Sequence, residues 1–171
     1  MKLIILNGPC AVGKSSLAIR VHQARPMFLL LDIDSLRRLF SGYKEKREES
    51  REASLKLAET MVSTCLDMGH DVIIDKMQFD TDVLDRYHEI GKQKGAEVKE
   101  FILWASKEAV MARASARGYK EGSTFTPEKC ELFWHKMNEL KDKRPNAIVI
   151  DTTDLTPDES YTQVEKAVNL E

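Results

Sequence analysis

The chain has 171 residues, of which 42% are hydrophobic and 32% charged, and its formal net charge is −2. This length fits one domain with a proper core, and no apolar stretch approaches the roughly 20 residues that span a bilayer. The slightly acidic balance argues against a general nucleic-acid binder held by a broad basic surface.

Apolar runs of strand length alternate with longer segments of helical period, which is typical of a parallel sheet covered by helices on both faces. The predicted strands are Lys2–Asn7, Met27–Asp32, Asp71–Asp75, Val98–Trp104 and Ala147–Asp151. The predicted helices lie near Lys14–Ala24, Ser35–Ser41, Glu49–Met68, Thr81–Lys94, Lys107–Arg117, Pro127–Asp142 and Pro157–Asn169.

The first predicted strand runs directly into the pattern G-x-x-x-x-G-K-S at positions 8–15. In this pattern backbone N–H groups surround phosphate oxygens, Lys14 reaches the β- and γ-phosphates, and the Ser15 hydroxyl ligates Mg²⁺. The helix that follows directs the positive end of its dipole at the same anion. We therefore expect ATP and Mg²⁺ as ligands, with nucleotide contacts from Gly8, Pro9, Cys10, Ala11, Val12, Gly13, Lys14, Ser15 and Ser16.

Two carboxylates end the second predicted strand. With a period of two, Asp32 and Asp34 point to the same side, near the triphosphate, and one of them could accept a proton from an acceptor hydroxyl. The alternative for Asp34 is an N-cap of a helix beginning at Ser35. Arg37, three residues further on, would lie on the same helix face and could clamp a phosphate.

The third predicted strand also ends in a carboxylate, Asp75, which could hold Mg²⁺ together with Ser15 or position the acceptor. The alternative is a plain polar strand end. Lys76 and Gln78 follow it and would face the same crevice, as substrate-binding residues.

Further along, Arg113 and Arg117 lie four residues apart on one helix, before a connection with two glycines at 118–123. They could close over the phosphates as part of a lid at about 113–130 and stabilise the transition state, or they could be surface charges that complement a helix dipole. Asp151 and Thr152, at the end of the fifth strand, could pack around a purine.

The phosphate loop, Asp34-Ser35-Leu36-Arg37 as D-x-x-R, and R-x-x-x-R-G at 113–118 together resemble the kinase domain of phage-type polynucleotide 5′-hydroxyl kinases. The resemblance implies one three-layer P-loop kinase domain over residues 1–171, with a five-stranded parallel sheet in the order 2-3-1-4-5. It also implies that Asp34 is the general base, that Arg37 contacts an acceptor phosphate, and that Arg113 and Arg117 belong to a helical lid.

The chain is also similar to chloramphenicol phosphotransferase and to gluconate- or shikimate-type kinases. The sequence therefore leaves the hydroxyl acceptor open between a polynucleotide, which would bind as substrate only, and a small molecule such as an antibiotic, a sugar acid or a nucleoside. A nucleotide-binding switch or an ATPase without an acceptor is the alternative of another class.

The three cysteines are odd in number and widely spaced, which indicates reduced thiols rather than a disulfide framework or a metal site. The amino-terminal strand leads straight into the phosphate loop, without the pattern of a signal peptide. Together these features lead us to expect a cytoplasmic protein without membrane segments.

Overall fold

The computed structural model describes residues 1–119 and 125–168 of the chain. Its centre is a five-stranded sheet in the order β2-β3-β1-β4-β5, and every pair of neighbouring strands is parallel. The predicted fold class and strand order are therefore confirmed. The strands are β1 (Lys2–Asn7), β2 (Leu29–Asp32), β3 (Val72–Asp75), β4 (Glu97–Trp104) and β5 (Ile148–Asp151).

Seven helices lie within the described ranges and connect these strands. They are α1 (Lys14–Gln23), α2 (Ile33–Arg38), α3 (Arg47–Asp67), α4 (Thr81–Gln93), α5 (Lys107–Arg117), α6 (Pro127–Lys143) and α7 (Pro157–Val168). Thr126 caps α6 by accepting a hydrogen bond from the N–H of Lys129, and proline is the first helical residue.

Two boundaries differ from the predictions for local reasons. Strand β2 begins at Leu29 rather than Met27, because Met27 has a φ of 64° that is incompatible with an extended strand. Helix α2 begins at Ile33 rather than Ser35, because the carboxylate of Asp32 accepts the N–H groups of Asp34 and Ser35 and so caps the helix earlier.

Alternating residues of the strands supply two hydrophobic cores, one on each face of the sheet. Ile4 and Leu6 of β1 face a cluster built with α1, α5 and α7. Leu3 and Ile5 face the opposite cluster, built with α3 and α4. Helix α6 contributes to both clusters. This arrangement buries the sheet on both faces and leaves the carboxyl ends of the strands to carry the polar residues.

A buried network of charged residues lies on the face of the sheet that carries α3 and α4. Glu100 of β4 is 5% exposed and accepts hydrogen bonds from Arg144 Nη2 at 2.6 Å and His88 Nε2 at 2.8 Å. Burial raises the pKa of Glu100, but His88 and Arg144 outweigh it and hold that pKa below its ordinary value of 4.5. The ionised carboxylate of Glu100 is therefore compensated by its hydrogen bonds with Arg144 and His88.

Across the described ranges, none of the helices combines the length and the apolar character needed to cross a membrane.

Candidate active site

The phosphate loop is shaped by two glycines. Gly8 has a φ of +145°, and a Cβ there would lie 2.3 Å from the carbonyl oxygen of Leu103, so a side chain is excluded. Gly13 has a φ of +94° and precedes α1, whose amino terminus has no side-chain cap and no acidic residue in its first turn. The uncapped N–H groups and the helix dipole make this end of α1 a site for an anion.

The ammonium group of Lys14 lies over this loop and donates a hydrogen bond to the carbonyl of Pro9 at 2.7 Å. Burial lowers its pKa, the positive charge of Arg117 acts in the same direction, and Asp75 and Asp34 oppose the shift. The charges of Asp34, Asp75 and Arg117 therefore act on Lys14.

Asp75 is a buried carboxylate close enough to Lys14 for their charges to interact. It is 9% exposed, burial raises its pKa, and a hydrogen bond from Ser15 and the charge of Lys14 oppose that shift. A hydroxyl and a carboxylate in contact are oxygen ligands of the kind that Mg²⁺ prefers. The donor set of Ser15 and Asp75 thus fits a magnesium ion that would be completed by nucleotide phosphates and water.

Asp32 and Asp34 are arranged differently from the period-two prediction, because Asp34 already belongs to α2. Asp32 uses its carboxylate on the N–H groups of Asp34 and Ser35 and on the Ser35 hydroxyl at 2.6 Å. The N-cap is therefore Asp32 and not Asp34. Asp34 remains 58% exposed and forms an ion pair with Lys76, which follows β3. Asp34 is the more exposed of the two carboxylates, and its side chain does not cap the helix.

Arg37 does not take the position expected from helical spacing. Its guanidinium donates to the Ser50 hydroxyl at 3.0 Å and to the carbonyls of Tyr43 and Arg47 at 3.3 and 3.1 Å, which ties α2 to the start of α3. Arg38 instead lies over the amino end of α2, where it donates to the Asp34 carbonyl at 3.1 Å. Its Nη2 donates to the Ser35 hydroxyl at 3.2 Å and lies 3.6 Å from the Asp32 carboxylate.

Gln78 is also turned inward, contrary to its expected place in the crevice. It is 5% exposed, and its side-chain oxygen accepts the N–H groups of Phe79 and Asp80, each at 3.0 Å. Sequence reasoning missed its partner, Asn7, the fully buried last residue of β1. The Asn7 oxygen accepts the N–H groups of Gly8 at 2.8 Å and Gln78 at 3.0 Å, and its amide donates to the Gln78 carbonyl at 2.8 Å. The sequence did carry a signal for Asn7, because it is a polar residue at the end of a buried strand, directly before the phosphate loop.

A cavity of about 230 Å³ opens beside α1 and next to the phosphate loop. Arg113 forms part of its wall, held by bonds from its guanidinium to the carbonyls of Thr152 and Thr153 at 2.6 and 2.9 Å. Thr152 is 3% exposed and donates to the Trp104 carbonyl at 2.9 Å. The lining residues are Ala11, Val12, Gly13, Ser16, Leu17, Arg20, Leu103, Arg113, Thr152, Leu155, Pro157 and Ser160. This mainly apolar space suits a flat heterocyclic base.

Two further predicted site residues, Asp151 and Arg117, lie at the surface. Asp151 is exposed and accepts hydrogen bonds from Thr153, which stabilise the turn after β5. The same hydrogen bonds hold the pKa of Asp151 below its ordinary value. Arg117 is exposed at the end of α5 and acts on Lys14 through its charge. Of the predicted lid, residues 120–124 lie outside the described residues, and α5 and α6 flank them.

A protein-family model described as an AAA domain matches residues 3–140. No sequence match to a curated protein was found.

Several solved structures have the same fold as this chain over nearly its whole length. A tunicamycin resistance protein from Deinococcus radiodurans is 21% identical with a TM-score of 0.69, over 99% of this chain and 96% of that one. The YorR protein of Bacillus subtilis, in complex with phosphorylated GDP, is 16% identical with a TM-score of 0.62, over 98% and 96%. Deoxyadenosine kinase from M. mycoides with bound dCTP is 13% identical with a TM-score of 0.56, over 99% of each chain. At these identities the likeness is one of fold.

Proposed function

The chain belongs to the AAA domain family, and on that premise we propose that it is an ATP-dependent kinase that phosphorylates a hydroxyl group of a small molecule. The observation that carries the proposal is an exposed carboxylate, Asp34, within electrostatic range of the phosphate-loop lysine, Lys14. Lys14 and the amino end of α1 would hold the triphosphate. Asp34 would face the space from which a second substrate approaches.

In the proposed reaction the acceptor oxygen attacks the γ-phosphorus while the bond to the β–γ bridging oxygen breaks, and ADP leaves. Asp34 accepts the proton of the acceptor hydroxyl, and Lys14 and Arg117 supply positive charge near the transferring group. Ser15 and Asp75 are the residues that would hold Mg²⁺, which neutralises phosphate charge when bound. Arg113 and Thr152 would border the base of the nucleotide.

The charges at the acceptor side favour a small molecule over a polynucleotide. Lys76 forms an ion pair with Asp34 and Arg38 lies 3.6 Å from the Asp32 carboxylate, while Arg37 is bound to Ser50 and two carbonyls. A polynucleotide needs cations that are available to its phosphates. An uncharged or cationic alcohol suits this surface better. The names of the tunicamycin resistance protein and deoxyadenosine kinase agree with small acceptors such as an antibiotic or a nucleoside.

The test is ATP consumption, with Mg²⁺ present, over a panel of acceptors. The panel contains nucleosides, sugar acids, aminoglycoside- and chloramphenicol-like alcohols, a nucleoside-sugar antibiotic and 5′-hydroxyl oligonucleotides. We expect at least one small alcohol to raise ATP consumption above the rate with water alone. Asp34→Asn should lose this stimulation, and Asp67→Asn serves as its matched control, because Asp67 is a remote, exposed carboxylate paired with Lys94 at 2.6 Å.

Two other outcomes have distinct meanings. Salt-sensitive turnover on oligonucleotides alone would assign the acceptor to the polynucleotide class. ATP hydrolysis that no acceptor accelerates would contradict the kinase proposal and favour an ATPase or a nucleotide-binding switch.

A further inference from the structure

Two of the three cysteines meet beside the phosphate loop, although they are 120 positions apart in the chain. The Sγ atoms of Cys10 and Cys130 lie 2.8 Å apart, whereas a disulfide bond measures about 2.05 Å. Cys10 is the third residue of the phosphate loop, and Cys130 lies in the first turn of α6. Both thiols are free in this structure.

The two cysteines differ in accessibility. Cys130 is fully buried, whereas Cys10 is partly exposed. Tyr119 and Phe125 pack against the same hydrophobic cluster, with their ring centroids 5.6 Å apart. The thiol pair thus joins the phosphate loop to α6, which begins within the predicted lid region. A solution oxidant reaches Cys10 first, and Cys130 can respond only from inside the protein.

We propose that Cys10 and Cys130 form a reversible disulfide in the presence of a low-molecular-weight disulfide such as oxidised glutathione, and that this bond weakens nucleotide binding. The Cys10 sulfur attacks the glutathione disulfide and releases one glutathione thiol. The Cys130 sulfur then attacks the Cys10 sulfur and releases the second glutathione thiol. The protein thereby loses two protons and two electrons, and both go to glutathione.

The weakening follows from the geometry of the phosphate loop. Closing the sulfur–sulfur distance moves residue 10 toward α6, and backbone N–H groups must be held close to their productive positions to bind phosphate. Burial raises the pKa of the Cys10 thiol to about 12, so only a small fraction is thiolate at neutral pH and its reaction with the glutathione disulfide is slow. This part of the inference rests on the nucleotide-binding role proposed above.

The experiment treats the full chain with oxidised glutathione, maps the cysteines by mass spectrometry without reduction, and measures binding of fluorescent methylanthraniloyl-ADP. We expect a linked Cys10–Cys130 peptide two hydrogens lighter than its parts. We also expect nucleotide affinity to fall by about fivefold or more, and a dithiol reductant to restore it. Cys65→Ser is the matched control and should behave like the wild type, because Cys65 lies on α3, away from the pair.

Cys130→Ala should bind the fluorescent nucleotide normally when reduced, and with oxidised glutathione it should stop at the Cys10–glutathione mixed disulfide and form no linked peptide. Cys130→Val provides a second variant if the alanine form folds poorly. Absence of the linked peptide, or a linked protein that binds nucleotide as tightly as the reduced one, would overturn the inference. If the reduced protein does not bind the nucleotide at all, the proposed function fails instead, while the linked peptide still reports on the thiol pair.

Discussion

The carboxylate of Asp34 forms an ion pair with the ammonium group of Lys76, and this contact joins α2 to the segment after β3. Lys76 is the more buried partner, with 21% of its side chain exposed against 58% for Asp34. A largely buried cation therefore holds an exposed carboxylate at the carboxyl ends of two neighbouring strands. Such an arrangement orients the carboxylate while leaving it accessible, as the proposed role of Asp34 as a base requires.

Replacing Lys76 by methionine is expected to reduce acceptor-dependent turnover by about ten- to a hundredfold, because Asp34 would lose its fixed orientation. Nucleotide affinity should stay within about twofold of wild type, since Lys76 is not part of the phosphate loop. Steady-state kinetics with a responsive acceptor would measure the first effect and fluorescent-ADP titration the second. Lys76→Arg should recover part of the rate, and an unchanged rate in Lys76→Met would remove this residue from the acceptor site.

The two arginines of α5 should have separable effects. Arg113 is bound to Thr152 and Thr153 beside the cavity, so Arg113→Met is expected mainly to raise the KM for ATP. The charge of Arg117 reaches Lys14, so Arg117→Met is expected mainly to lower kcat. Initial rates over a range of ATP concentrations distinguish these patterns. The same pattern in both variants would contradict the division of roles.

Asn7 is expected to stabilise both the fold and the nucleotide site. Asn7→Ala removes the acceptor of the Gly8 and Gln78 N–H groups in a fully buried position, which should cost about 1–3 kcal/mol of unfolding free energy. Nucleotide affinity should fall as well, because Gly8 is the first residue of the phosphate loop. Denaturant unfolding and fluorescent-ADP titration measure the two effects. A stable variant with normal affinity would show that Asn7 does not support the loop.

The phosphate loop and the sheet could be predicted because their signals are local. The glycines, Lys14 and Ser15 lie within eight consecutive residues, and each strand except β4 is a short apolar run that ends in Asn or Asp. The predicted start of α2 was wrong by two residues, because the helix begins where a side chain caps it. The capping carboxylate belongs to Asp32, which is also the last residue of β2.

The directions of Arg37 and Gln78 could not be predicted because their partners are distant in the chain or are backbone groups. Helical spacing gives the face on which Arg37 starts, but Ser50 and the carbonyls near the start of α3 determine where its guanidinium lies. The same limit applies to Cys10 and Cys130, whose contact exists only in the folded chain. Sequence indicated the chemical groups of the site, and tertiary packing decided which of them face it.

The buried pair of Glu100 and Arg144 is expected to stabilise the fold without affecting the nucleotide. Arg144→Met leaves the Glu100 carboxylate without its main partner and should cost about 3–5 kcal/mol of unfolding free energy. The variant that also carries Glu100→Gln should recover part of that loss, because no buried charge remains unpaired. Urea unfolding of both variants measures the effect, and equal stability of Arg144→Met and wild type would contradict it.

The same pair sets a dependence of stability on pH. Since the pKa of Glu100 in the folded protein lies below its ordinary value of 4.5, the stabilisation is complete above that value. It is lost as the pH falls through the lowered folded-state pKa. Glu100→Gln should therefore show a flatter loss of stability in acid than wild type. Thermal unfolding between neutral pH and about pH 3 would measure both slopes, and identical slopes would contradict the assignment.

The central claim, that Asp34 directs phosphoryl transfer to a small-molecule hydroxyl, is tested most directly by mass spectrometry of the acceptor. Wild type, Asp34→Asn and the control Asp67→Asn would each be incubated with ATP, Mg²⁺ and the responsive alcohol. The account predicts equal phosphorylated acceptor from wild type and Asp67→Asn. It predicts a rate about 10² to 10⁴ times lower from Asp34→Asn, with fluorescent-ADP affinity retained. Phosphorylation by Asp34→Asn at the wild-type rate, or no phosphorylated alcohol from any form of the protein, would contradict it.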